Sequence, residues 1–300
     1  MTTSTERKVS RATTARAPEE VVETKKSTKF TTTLAAYGDR LPIGILDAEG
    51  RLHKEIVCKT WKTRDERELG KKLANETSMA DHVPIVIANM CSRIGPHDFE
   101  KIDDVEKSVV IATMYMADVF YAYALLRAKM MGNRLALNID CPRQGCGVRF
   151  PFVADLASLE VVGVDDIDDI LWRYDLESPI DIRQRRVTHF RLAYPKWSVM
   201  QASKASASEA DIKAYAIQGA IVGINDEQTP LALSLAELDE LSKPDFEGLQ
   251  ESINQNFFGP KMGVEGRCTP EVCARYKRGD YEFKASIDWS YRYFFGASSR

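Results

Sequence analysis

Four cysteines stand in two tight pairs far apart in the chain: Cys141 and Cys146 in IDCPRQGCGVRF, and Cys268 and Cys273 in RCTPEVCARY. Four residues separate the members of each pair, each gap holds a proline, and Gly145 and Gly147 flank Cys146. A turn of that kind lets two thiolates converge on one ion. Four sulfur ligands suit tetrahedral Zn²⁺ and serve Mg²⁺ or Ca²⁺ poorly, so a shared structural zinc is the expected occupant, with an iron–sulfur cluster as the alternative. Two disulfides or plain buried thiols are the bland competitors. His53 or His189 could replace one sulfur, and the gap is wider than the two residues of the commonest knuckle.

One ion held by both pairs would close the 122 residues from Cys146 to Cys268. Closing a flexible loop of that length costs about 4 kcal/mol. Zinc binding releases on the order of 10 kcal/mol or more in finger peptides near neutral pH. The metal is therefore expected to clamp tertiary structure rather than to build a local finger.

No other reactive residues converge in this way. Cys58 and Cys91, in a strand-like and a helix-like context, read as buried core thiols. GxSxG, Walker, GxGxxG and HExxH patterns do not occur and the four histidines are scattered, so neither an enzyme nor a small-molecule substrate is expected. The formal net charge of −3 supplies no global attraction to nucleic acid or anionic membrane. Arg143, Arg149, Arg275, Lys277 and Arg278 around the cysteines nevertheless keep a zinc-ribbon nucleic-acid-binding module as the second reading. No apolar leader follows Met1, which fits a reducing cytoplasm.

The elements that must carry the cysteines point to an α+β fold. Residues 1–34 form a polar segment with seven Lys and Arg against four Glu up to Lys29, expected to be a flexible tail. Residues 35–134 comprise a hairpin turning at Asp47 to Gly50, a helix entered at Thr63 with Glu66 completing a capping box, and a second helix from Ser78 or Asp81 to about Arg93. The nineteen residues Ser108 to Leu126 carry only Asp118 as a formal charge. That carboxylate and the polar flanks argue against a membrane span and for a central buried helix. Arg127, nine residues on, lies on the wrong helix face to pair with Asp118, which leaves Arg191 as the expected partner.

Residues 135–300 form a mixed α+β region closed by the zinc-ribbon-like knuckles, possible as one domain with 35–134. Leu135 to Ile139 and Val148 to Val153 should be strands on either side of the first knuckle. The acidic run Val164 to Ile170 reads as a solvated face or helix start, because it lacks the glycine and spacing of an EF-hand loop. Ile180 to Tyr194 should be two strands with a basic turn between them. Serine-capped helices follow over Ser206 to Gly219, Ser234 to Leu241 and Ser242 to Phe258, and Tyr281 to Ile287 alternates as a strand. Aromatic WSYRYFF, Trp289 to Phe295, reads as core or as a docking patch. The cysteine pair is the only repeat read from the sequence.

LPIGILDAEGRLHKEI followed by KTWKTRDERE, then DVFYAYALLRAKMMGNR running into CPRQGCG, RVTHFRLAYP, and the late CTPEVC with FF near the end, together resemble the baseplate hub assembly proteins of T-even-like phage tails. Similar proteins accompany contractile injection systems. The resemblance spans most of Leu41 to Phe295 and implies zinc at Cys141, Cys146, Cys268 and Cys273, with no catalytic role for Asp118 or Arg127. It also implies other tail or baseplate proteins as partners. The location it implies is the virion tail, or the bacterial cytoplasm during assembly.

Overall fold

A computed structural model describes residues 28–74, 78–141, 146, 149–204, 208–227, 233–261, 263–269 and 281–286. The fold is α+β, with helices and short antiparallel sheets. The first half opens with β1 (Phe30–Thr33) and α1 (Leu34–Tyr37), then the hairpin β2 (Arg40–Leu46) and β3 (Leu52–Cys58). Next come α2 (Thr63–Leu73), α3 (Met79–Met90), β4 (Cys91–Ile94) and β5 (His97–Asp98). It ends in α4 (Asp104–Thr113), α5 (Met116–Met131), the ribbon β6 (Arg134–Asp140) and β7 (Arg149–Asp155), and β8 (Glu160–Gly163).

The second half begins with the hairpin β9 (Leu171–Ile182) and β10 (Arg185–Ala193), followed by α6 (Ser198–Ser203), α7 (Glu209–Ala220) and β11 (Ile221–Ile224). It continues through α8 (Leu235–Leu238), α9 (Lys243–Gln255) and β12 (Gly259–Pro260) to the ribbon β13 (Gly263–Cys268) and β14 (Tyr281–Ser286). Among the described residues five antiparallel groupings result: β2-β3-β4-β5, β11-β10-β9, β1-β8-β12, β6-β7 and β13-β14. The three-stranded β1-β8-β12 sheet stitches the halves together.

Local sequence accounts for most boundaries. The side chains of Ser78, Asp103, Ser208, Ser234 and Ser242 each accept an amide in the first turn of the helix they precede, satisfying donors that the helix itself leaves open. The Thr63 box is displaced by one residue: the Asp65 carboxylate accepts the Lys62 amide, and Thr63 is already helical. α3 stops at Met90, earlier than the expected Arg93, because Cys91 to Ile94 leave the helix to pair with β3. Cys91 is thus a strand residue.

The long apolar run is two helices rather than one. Met114 and Tyr115 are extended, and their surroundings explain why. The Met116 amide donates to Pro195 O and the Trp197 amide to Met114 O, while Tyr115 bridges Lys196. This strand-like exchange supplies the partners that a continuous helix would otherwise have to provide. At about 1.5 Å per residue the 16-residue α5 is shorter than a bilayer core. Among the described residues no helix is long and apolar enough to cross a membrane.

Asp118, in the first turn of α5, is fully buried, and its carboxylate accepts the amides of Ile43 (2.8 Å) and Gly44 (2.9 Å). Arg191, the expected partner, instead donates to Glu227 O. Arg127, also buried, donates to the carbonyls of Gly132 and Arg134 and so ties the end of α5 to the start of β6. Of the expected tail, Phe30–Thr33 is a strand paired with β8 and Leu34 is core; residues 1–27 lie outside the described residues. The acidic run is a short 3-10 turn, Ile167–Ile170, capped by Asp166, and Asp169 accepts from Thr28. The basic turn of the second hairpin is Arg183–Gln184, both at positive φ.

Candidate metal centre

Cys141 follows the last residue of β6, and Cys268 is the last residue of β13. The sulfurs of Cys141, Cys146 and Cys268 all lie within 4.8 Å of one another. All three are buried, and no disulfide joins any two of them. Cys273 lies outside the described residues. The spacing suits ligation: sulfurs at about 2.3 Å from a tetrahedral ion stand roughly 3.8 Å apart.

Both ribbons are built to present these sulfurs. β6 and β7 pair without a break from Arg134–Asp155 to Asp140–Arg149. At the loop end Arg149 Nε and Nη2 reach the two Asp140 carboxylate oxygens at 2.7 and 3.0 Å, holding the strands together next to Cys141. In the second ribbon Cys268 is the register partner of Tyr281. Leu135, Leu137 and Phe283 are buried in the same core cluster as the three cysteines, so apolar packing fixes where the strand ends arrive.

Burial and the neighbouring thiols of Cys141 and Cys146 push the Cys268 thiol up to about 12. Three thiols in an apolar setting cannot ionise together without a compensating charge, and a divalent ion supplies one. Soft sulfur donors select zinc, copper(I) or iron–sulfur chemistry over magnesium or calcium. The residues present therefore fit a thiophilic metal.

Neither histidine joins the cluster. His53 Nε2 is 2.8 Å from Asp47 in the first hairpin, and His189 lies in β10 beside Thr188, with Asp226 at 3.3 Å. Of the basic residues that favoured nucleic acid, Arg149 is matched by Asp140, while Arg143, Arg275, Lys277 and Arg278 lie outside the described residues. Two arginines of the second hairpin are also matched, Arg183 by Glu237 and Arg185 by Glu227. Trp289 to Phe295 lie outside the described residues as well.

Sequence reasoning missed two buried groups. Lys54 donates to Val164 O with Asp165 at 3.8 Å, and Asp245 accepts the amides of Glu177 and Ser178. Charged residues inside otherwise apolar packing were the available signal, yet their partners are backbone groups that no side-chain pattern reveals. No family model, no curated protein and no solved structure matches the chain.

Proposed function

We propose that the chain is a structural component or assembly factor of a phage contractile tail baseplate, or of a related contractile injection system, held together by a structural zinc on Cys141, Cys146, Cys268 and Cys273. The observation that carries the structural part is the meeting of buried thiols from two distant cysteine pairs. A catalytic zinc keeps a position open to water or substrate; a set of four cysteines buried like these three fills every position with protein sulfur. The tail assignment is supported by the motif order from LPIGILDAEGRLHKEI to CTPEVC. Partners are then other tail or baseplate proteins, in the virion tail or in the bacterial cytoplasm during assembly.

Two measurements test this reading. Elemental analysis of protein purified without added metal should return one zinc per chain, and iron with visible charge-transfer absorbance would replace zinc by a cluster. Mass spectrometry of purified tails should recover the chain in stoichiometric amount if it is a component, or only in precursors if it is an assembly factor. Its absence from both would end the tail assignment. Of the five basic residues that suggested a nucleic-acid module, Arg149 is the one among the described residues, and binding of labelled DNA with a steep salt dependence would favour that module.

A further inference from the structure

The two halves repeat one another well beyond their cysteines. Each has a hairpin, a tryptophan shortly after its second strand (Trp61, Trp197), and a helix. Each then has a twelve-residue helix capped by the serine of a Ser-x-Ala-Asp segment, Ser78 and Ser208. In both, a four-residue strand follows that helix directly and pairs antiparallel with the second hairpin strand. In both it ends at a positive-φ residue whose amide returns to that hairpin strand, Gly95 to Glu55 O and Asn225 to His189 O.

The same irregularity also occurs twice. On β2 the five steps from Arg40 to Ile45 face the two steps from Glu55 to His53; on β9 the five from Asp175 to Ile180 face the two from His189 to Val187. In each bulge two consecutive amides point at a buried aspartate in the first turn of a later helix, Asp118 of α5 or Asp245 of α9. Two such bulges, each closed by an aspartate at the third position of α5 or α9, are not a generic consequence of pairing strands. From there the copies keep step: Met116 and Lys243, Asp118 and Asp245, Cys141 and Cys268, and Cys146 and Cys273 all stand 127 residues apart.

Each copy also owns a core. One apolar cluster lies wholly between Leu176 and Leu249, whereas the largest draws almost all its members from the first half. The sulfur cluster takes Cys141 and Cys146 from one copy and Cys268 from the other.

We infer that the chain is a tandem duplication of one unit and that the metal centre is the clasp between its two copies, coupling their terminal ribbons without nucleating either fold. The clasp, though not the duplication, rests on the metal reading above. Removal of the ion therefore frees the ribbons from one another while both copies stay folded and stay joined through the β1-β8-β12 sheet and the exchange of Tyr115 with Lys196.

Hydrogen exchange on the full chain, read segment by segment, tests this. Zinc-loaded and chelator-treated protein should differ by roughly tenfold or more in exchange at 134–155 and 263–286, with 79–94 and 209–224 unchanged. Melting of either interior segment on metal removal, or ribbons that stay protected once elemental analysis shows the ion gone, overturns the clasp. Protein that never holds metal overturns both the clasp and the metal reading, and leaves the duplication to be judged by a second arm. Asp118→Asn should accelerate exchange at 40–58 and spare 171–193; Asp245→Asn should do the reverse. Loss of protection in both hairpins from either single change, or in neither from both, overturns the equivalence of the copies.

Discussion

The carboxylate of Asp118 holds the amide of Gly44 at 2.9 Å, from a helix that begins 72 residues later in the chain. Burial raises this acid to about 7, against the pull of the Ile43 and Gly44 amides and of Lys54, which favour its charged form. Tyr37, Tyr115 and Tyr194 feel its charge, and their hydroxyls are pushed up mainly by burial and further by that charge. An acid whose folded value exceeds its unfolded 3.8 keeps its proton better when folded. Its contribution is complete below the unfolded value and fades as pH rises through about 7. The urea midpoint of the native chain, relative to Asp118→Asn, should therefore fall between pH 4 and 8. A rising difference would mean that the two amides outweigh burial and that the group ionises readily in place.

Gly44 should tolerate no side chain. Its φ is +106°, and an added Cβ would lie 2.7 Å from the His53 carbonyl oxygen and 2.9 Å from Lys54 Cγ. Backbone cannot yield as a flexible side chain does, so Gly44→Ala should cost roughly 2–4 kcal/mol. Gly50, at φ +78° with nothing within 4 Å of such an atom, is the control. Gly50→Ala carries only the left-handed backbone penalty, about 1–2 kcal/mol. Thermal melts of the two variants should separate clearly; equal losses would show that the bulge relaxes.

Trp197 belongs to the second half but is fully buried, packing edge-on against Phe120 of α5 at 5.4 Å between ring centroids. Its indole N–H has no hydrogen-bond partner among the described residues. Trp197→Ala should cost about 3–5 kcal/mol through the cavity it opens. Trp197→Phe keeps most of the ring and removes a donor that has no acceptor, so its cost should be under half of that. Comparable losses in denaturant melts would mean that the N–H finds an acceptor in solution.

Elements with their own caps were legible. Ser208, Ser234 and Ser242 announce α7, α8 and α9, and the Asp47 to Gly50 turn announces the first hairpin, because cap and turn chemistry is local. The break at Met114 and Tyr115 was not, since its cause is the segment around Pro195 and Trp197, far away in the chain. Likewise Asp118 met backbone rather than Arg191 because a bulge offers two amides at a geometry no residue type encodes. The duplication escaped for a related reason. Its copies agree in hydrogen-bond pattern while their hairpins, LPIGILDAEGRLHKEI and the stretch through RVTHFRLAYP, share few residues at matching places. The meeting of the cysteines was legible because the same four-residue gap with a proline recurs in both pairs.

Alkylation can separate the two kinds of cysteine in one sample. Cys58 is half-buried in β3 opposite Cys91, which is fully buried in β4, and burial raises both thiols. Neither belongs to the sulfur cluster, so their labelling by iodoacetamide should be slow and indifferent to metal. The thiolates of Cys141, Cys146, Cys268 and Cys273 would be occupied by the ion in loaded protein and released by a chelator. Mass-mapped labelling under native conditions should then rise by roughly tenfold or more at these four alone. Cys273 is the telling position, because the sequence pairs it with Cys268 as it pairs Cys146 with Cys141. Protection of Cys141, Cys146 and Cys268 with Cys273 labelled in the loaded protein would show a three-sulfur site with a fourth ligand from elsewhere, and would withdraw the closed tetrathiolate.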